Sequence, residues 1–131
     1  MNTDKVILKM DNKFKGTLES PTTNINVGNS ENGIMPYHML YGALGSCFYA
    51  TFISVARKMR LEFGDCEIEI TGNKRDAVPA TLEDVYVKIT ISNPSDQEKL
   101  EKAAEMGAKY CSIYETVSNV ATMHLEVVFS V

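Results

Sequence analysis

Apolar and polar positions alternate toward both ends of the chain and merge into one long apolar stretch between them. That stretch, PYHMLYGALGSCFYATFISVARKMR from Pro36 to Arg60, predicts a single buried helix. Pro36 suits a first helical turn, where its missing N–H costs nothing. Arg57, Lys58 and Arg60 gather at the far end, where the helix dipole favours positive charge. On a wheel of about 100° per residue, Leu40, Leu44, Phe48, Thr51, Phe52, Val55 and Met59 form a large-residue face, with Tyr37 and Tyr41 at its start. Gly42, Ala43, Ser46 and Ala50 form an opposite, small-residue face. A helix apolar nearly all round needs cover on both sides, and a small face lets another backbone come close. One covering layer could be a second chain. Cys47 lies at the boundary between the two faces, a position suited to the edge of a cleft.

Ahead of this helix, Lys5 to Met10, Lys13 to Glu19 and Asn24 to Gly28 read as a three-stranded meander, with a turn at Asp11-Asn12 and a polar loop at 29–33. Beyond it, Phe63-Gly64-Asp65 offers glycine for a left-handed cap. Cys66, Ile68 and Ile70 then alternate with Glu67 and Glu69, a half-buried strand that assigns Cys66 to the core. Val85, Val87, Ile89 and Ile91 give the clearest alternation. Ser95 with Glu98 three residues later reads as a capping box, opening a helix whose stripe of Leu100, Ala103, Ala104 and Gly107 extends by its spacing to Cys111. Met123 to Val131 alternates again. The order βββ, long α, ββ, α, β predicts an α+β protein with antiparallel sheets.

The 131 residues fit a single domain, 1–131. A net charge of -4 excludes broad phosphate-backbone binding, so no nucleic acid partner is expected. The N-terminus lacks the apolar run of a signal peptide, and the long stretch is interrupted by Gly, Ser and Tyr; no membrane partner and a cytoplasmic location follow as expectations. Three cysteines, Cys47, Cys66 and Cys111, do not fit a secreted disulfide framework.

Each candidate site residue has a plain alternative. Cys47 and Cys111 form a redox pair or act as small buried hydrophobes. Tyr37 and His38 stand at the helix entrance, facing a cleft or merely solvated. Lys13 and Lys15 belong by default to a strand's exposed face. The two histidines and three cysteines have no CxxC or HxxxH spacing, so neither a metal nor another cofactor is expected. The charges from Asp96 to Glu105 read as a solvated helix face.

The run MPYHMLYGALGSCF resembles the segment leading to the first cysteine of the OsmC/Ohr family, the osmotically inducible protein C and organic hydroperoxide resistance proteins. KYCSIYETVSN resembles the family's second-cysteine stretch, with Cys111 on that cysteine, Thr116 on its threonine, and Ser112 where proline is usual. The resemblance implies antiparallel sheets wrapped around a long central helix in an intertwined homodimer. It also implies a thiol peroxidase: Cys47 peroxidatic, Cys111 resolving, an organic hydroperoxide as substrate, an external dithiol as reductant, and Phe48 among the pocket residues. It departs at the activating group. The family's peroxidases use an N-terminal arginine held by a glutamate, whereas here no arginine precedes Arg57, leaving Lys13, Lys15, Tyr37 and a protonated His38 as candidates. The alternative is a non-catalytic dimeric binding protein or redox sensor holding a small apolar ligand at its interface.

Overall fold

The long apolar stretch folds as helix α1, Pro36–Lys58, in a computed structural model that describes residues 1–131. Two units divide the chain, Met1–Leu40 and Tyr41–Val131, so α1 begins in the first and runs on into the second. By length and composition α1 could cross a membrane. Its Leu44, Gly45, Phe48, Phe52 and Ala56 are nevertheless buried in the fold, as in a core helix. The helix ends where Arg60 turns left-handed at φ 58°. There Arg60 N–H bonds Arg57 O at 3.0 Å and Leu61 N–H bonds Ala56 O at 2.9 Å, which together make a Schellman closure. The sequence placed that left-handed cap at Gly64. Gly64 instead allows a close pass, since a Cβ there would lie 2.5 Å from Ser92 Oγ.

In the first unit, β1 (Ile7–Met10), β2 (Lys15–Glu19) and β3 (Asn24–Gly28) form the expected antiparallel meander. Its first turn is longer than the sequence suggested. Asp11 Oδ1 accepts from the N–H groups of Lys13 and Lys15 at 2.8 and 2.9 Å, and Phe14 takes φ 59°. The turn thereby draws Lys13 out of the strand predicted for it.

In the second unit, β4 (Cys66–Lys74), β5 (Leu82–Ser92) and β6 (Thr122–Ser130) form a sheet in that order. β4 and β5 are antiparallel, with Ile68 opposite Ile89 and Ile70 opposite Val87. β5 and β6 are parallel, from Asp84 opposite Thr122 to Ser92 opposite Ser130, so this sheet is mixed and not antiparallel throughout. The cause is the connection: α2 (Gln97–Tyr110) and α3 (Ser112–Ser118) return the chain to the end where β5 began, as a parallel pairing requires. Val85, Val87, Ile89 and Ile91 are all but fully buried. Against α1, the sheet packs at Gly45, where a Cβ would come 3.0 Å from Ile70 Cδ1, and α2 packs at Gly107, where a Cβ would meet the backbone of Phe52 at 3.0 Å.

The capping box expected at Ser95 is replaced by its neighbour. Asp96 is the N-cap of α2, its carboxylate accepting from Lys99 N–H at 3.0 Å. Ser95 is held elsewhere, Oγ accepting from Glu62 N–H at 2.9 Å. α3, seven residues long, was not anticipated by the periodicity.

Candidate functional site

Cys47 stands beside the α1 ridge Leu44, Phe48, Phe52 and Ala56, whose four-residue spacing keeps it buried. Burying that ridge leaves Cys47 half-exposed at the edge. Thr51 Oγ1 donates to the Cys47 carbonyl at 3.1 Å. Phe48 itself is fully buried, its ring centroid 6.4 Å from Phe52 and 6.3 Å from Tyr114. It is a core residue beneath the site, rather than a lining one.

Cys111 forms the corner between α2 and α3. Its extended backbone, φ -80° and ψ 119°, ends one helix and starts the next, and its side chain is 1% exposed. The opening N–H groups of a helix have no intrahelical carbonyl to bond. At α3 a sulfur takes that place: Tyr114 N–H donates to Cys111 Sγ at 3.4 Å, and the backbone of Ser112 and Ile113 lies close enough to Cys47 to act on its ionisation. The Ser112 side chain and the Cys111 thiol act on it in the same way. Glu115 N–H closes the turn on Cys111 O at 3.0 Å.

This arrangement separates the two sulfurs chemically. Burial acts to raise the Cys47 thiol, but the hydrogen bonds from Cys111, Ile113 and Ser112 outweigh it and hold Cys47 below the ordinary thiol range. Burial pushes Cys111 up, and the bond to Cys47 pushes it the same way, against the N–H of Tyr114. Cys47 is therefore the sulfur that ionises first. Burial likewise raises the Tyr114 hydroxyl, with a smaller push from Cys111. Cys66 is apart from this pair. It is half-exposed on a groove of about 420 Å³ walled by Tyr41, Gly42, Gly45, Ser46, Tyr49, Ile68 and Ile70, which corrects its assignment to the core.

Lys13, Lys15, Tyr37 and His38 belong to the first unit. There His38 Nδ1 accepts from Met35 N–H at 3.1 Å, a bond that needs this nitrogen unprotonated. The neighbours of Cys47 that sequence reasoning missed are Ser112 and Ile113. Their one visible signal was Ser112 itself, a residue with an N–H and a hydroxyl where the related motif carries proline.

A long core helix bearing one cysteine, a second cysteine at a helix corner close enough to act on the first, and a three-stranded mixed sheet define an α+β protein with a pair of neighbouring free thiols. The chain belongs to the OsmC-like protein family, which matches residues 28–126. It is 26% identical over 89 residues to Protein YhfA of Escherichia coli (strain K12), a match spanning 66% of each chain. The fold is similar to that of an OsmC like protein from Mycoplasma pneumoniae, at TM-score 0.88 and 15% identity, covering 99% of both chains. It is similar too to the organic hydroperoxide resistance protein OhrB of Bacillus subtilis, at TM-score 0.69 and 18% identity, covering 96% of this chain and 98% of that one.

Proposed function

We propose that this protein is a cysteine-based peroxidase that reduces organic hydroperoxides in oxidative-stress defence, with Cys47 attacking and Cys111 resolving. The observation that carries this reading is the pairing of two neighbouring thiols, of which the half-exposed one is favoured as thiolate and the buried one as thiol. The Cys47 thiolate attacks the O–O bond, taking one oxygen as a sulfenate while the other leaves as the alcohol after picking up a proton. Cys111 then condenses with the Cys47 sulfenic acid, forming a disulfide and releasing water. An external dithiol supplies two electrons and two protons to restore both thiols. Membership in the OsmC-like family and the fold shared with OhrB, named for organic hydroperoxide resistance, support the substrate class. Three unpaired thiols suit a reducing cytoplasm.

A homodimer completes this reading. Gly42, Ser46 and Ala50 are exposed on one side of α1, and a Cβ on Gly42 would meet nothing, so a close-packing face lies uncovered. Val6, Ile7, Leu8 and Phe14 of the first unit are 41–55% exposed, more apolar surface than a three-stranded sheet leaves open without a partner.

The test is one equivalent of cumene hydroperoxide followed by peptide mapping. Wild type should form a Cys47–Cys111 disulfide and leave Cys66 free. Cys111→Ser should consume the equivalent and stop at a trappable sulfenic acid, and Cys47→Ser should consume none at comparable speed. If Cys47→Ser reacts as fast as wild type, or both thiols map as reduced, the peroxidase reading fails and a non-catalytic binding protein or redox sensor takes its place.

A further inference from the structure

The two thiols ride on separate elements, Cys47 on α1 and Cys111 at the corner between α2 and α3. Something has to fix one element against the other. We propose that Tyr114 is a positioning residue: its ring, packed on Phe48 next to Cys47, and its N–H, bonded to the Cys111 sulfur, set the separation at which the two thiols close into a disulfide. The meaning of this role for peroxide reduction rests on the peroxidase reading, but the packing and its effect on disulfide closure do not.

On the Cys47 side, the Tyr114 ring lies 6.3 Å from the ring of Phe48, centroid to centroid, at an interplanar angle of 37°, within the range in which aromatic pairs attract. Phe48 is a firm reference. It directly follows Cys47 in α1, it is fully buried, and its ring is backed by Phe52 at 6.4 Å, which in turn leans on Phe63 at 5.5 Å. On the Cys111 side, Tyr114 N–H donates to Cys111 Sγ at 3.4 Å, so the buried sulfur is tied to the residue whose ring meets Phe48. A helix as short as α3, seven residues, does not hold its place by its own backbone bonds. Its position over α1 therefore depends on the side chains it buries, chiefly Val117 and the half-buried Tyr114. Only Tyr114 of these two is joined to both Phe48 and Cys111. Disulfide geometry tolerates little error, with the two Cβ atoms about 3.5–4.5 Å apart. Without the ring the corner would drift, and the effective concentration of one thiol at the other would fall.

The experiment equilibrates the protein, with no peroxide present, in buffers of reduced and oxidised glutathione at set ratios. Peptide mapping then reads the fraction of Cys47–Cys111 disulfide, which gives that effective concentration. In the exchange one oxidised glutathione takes two electrons and two protons from the thiols, leaving a protein disulfide and two reduced glutathiones. Tyr114→Ala, with no ring, should lower the effective concentration roughly tenfold, the upper end of what one aromatic pair contributes. Tyr114→Phe keeps the ring and should match wild type. Val117→Ala, a loss of buried packing elsewhere on α3, should match it too, as a general loosening of that helix would not allow. The proposal is overturned if Tyr114→Ala equilibrates with wild type, if Tyr114→Phe or Val117→Ala falls as far as Tyr114→Ala, or if wild type forms no such disulfide. Should Tyr114→Ala fold poorly, Tyr114→Leu, which keeps apolar bulk without a ring, decides in its place and should fall by the same factor. A loss in Tyr114→Ala beside a wild type that consumes no cumene hydroperoxide supports the role of Tyr114 and sinks only the peroxidase reading.

Discussion

Cys66 gives a residue-scale contrast to the pair Cys47 and Cys111. Burial, helped by the charge of Asp65, pushes its thiol up to about 11, whereas an unfolded cysteine ionises near about 8.5. Between those values the unfolded state binds fewer protons than the folded one, so stability should fall as pH rises through this window. Urea midpoints measured across it should decline for wild type and decline less for Cys66→Ala. That variant should cost around 1 kcal/mol at neutral pH from lost packing. Alternation in the sequence correctly put Cys66 on the inward face of β4. It could not tell that this face meets α1 across Gly42, Gly45 and Ser46, residues too small to cover it. Likewise Cys47 and Cys111 stood out as cysteines near buried stripes, but their nearness depends on the Cys111 corner, where the backbone departs from the helical period that made the site legible.

At the scale of elements, most boundaries follow from periodicity, and the exceptions have local causes. Ser95 and Asp96 are both good N-cap residues, so composition alone could not choose between them; the bond from Glu62 N–H claims Ser95 and leaves the cap to Asp96. Asp96→Ala should cost about 1 kcal/mol in thermal or urea unfolding. Gly107 makes a sharper test of packing. It lies inside α2, where alanine is ordinarily favoured by about 1 kcal/mol, yet an added Cβ would press on the Phe52 backbone at 3.0–3.1 Å. Gly107→Val should therefore destabilise by about 1–3 kcal/mol, and because α2 leads directly into Cys111 it should also slow disulfide formation. The parallel strand pair was beyond the reach of alternation, which reports the face of a residue and is silent on strand direction.

For the whole molecule, the proposed dimer is tested on α1. Ala43→Glu puts a charge on the small-residue side and should yield monomer or insoluble protein, read by analytical ultracentrifugation; a well-folded wild-type monomer at micromolar concentration would count against association. The parallel register of β5 with β6 has a further consequence, for the order in which the molecule is made. β4 and β5 are neighbours in sequence and can pair as soon as both exist, but β6 reaches β5 only after the whole excursion through α2 and α3 has closed. Contacts between such distant positions form late, because chain entropy is lost before they give anything back. Pulsed amide labelling during refolding should protect β4–β5 before β6. One sulfur rides on α1 and the other within that excursion, so a chain emerging from the ribosome carries Cys47 for some time without Cys111 beside it. On the proposed reading, its partner thiol is delivered only by the final stage of assembly.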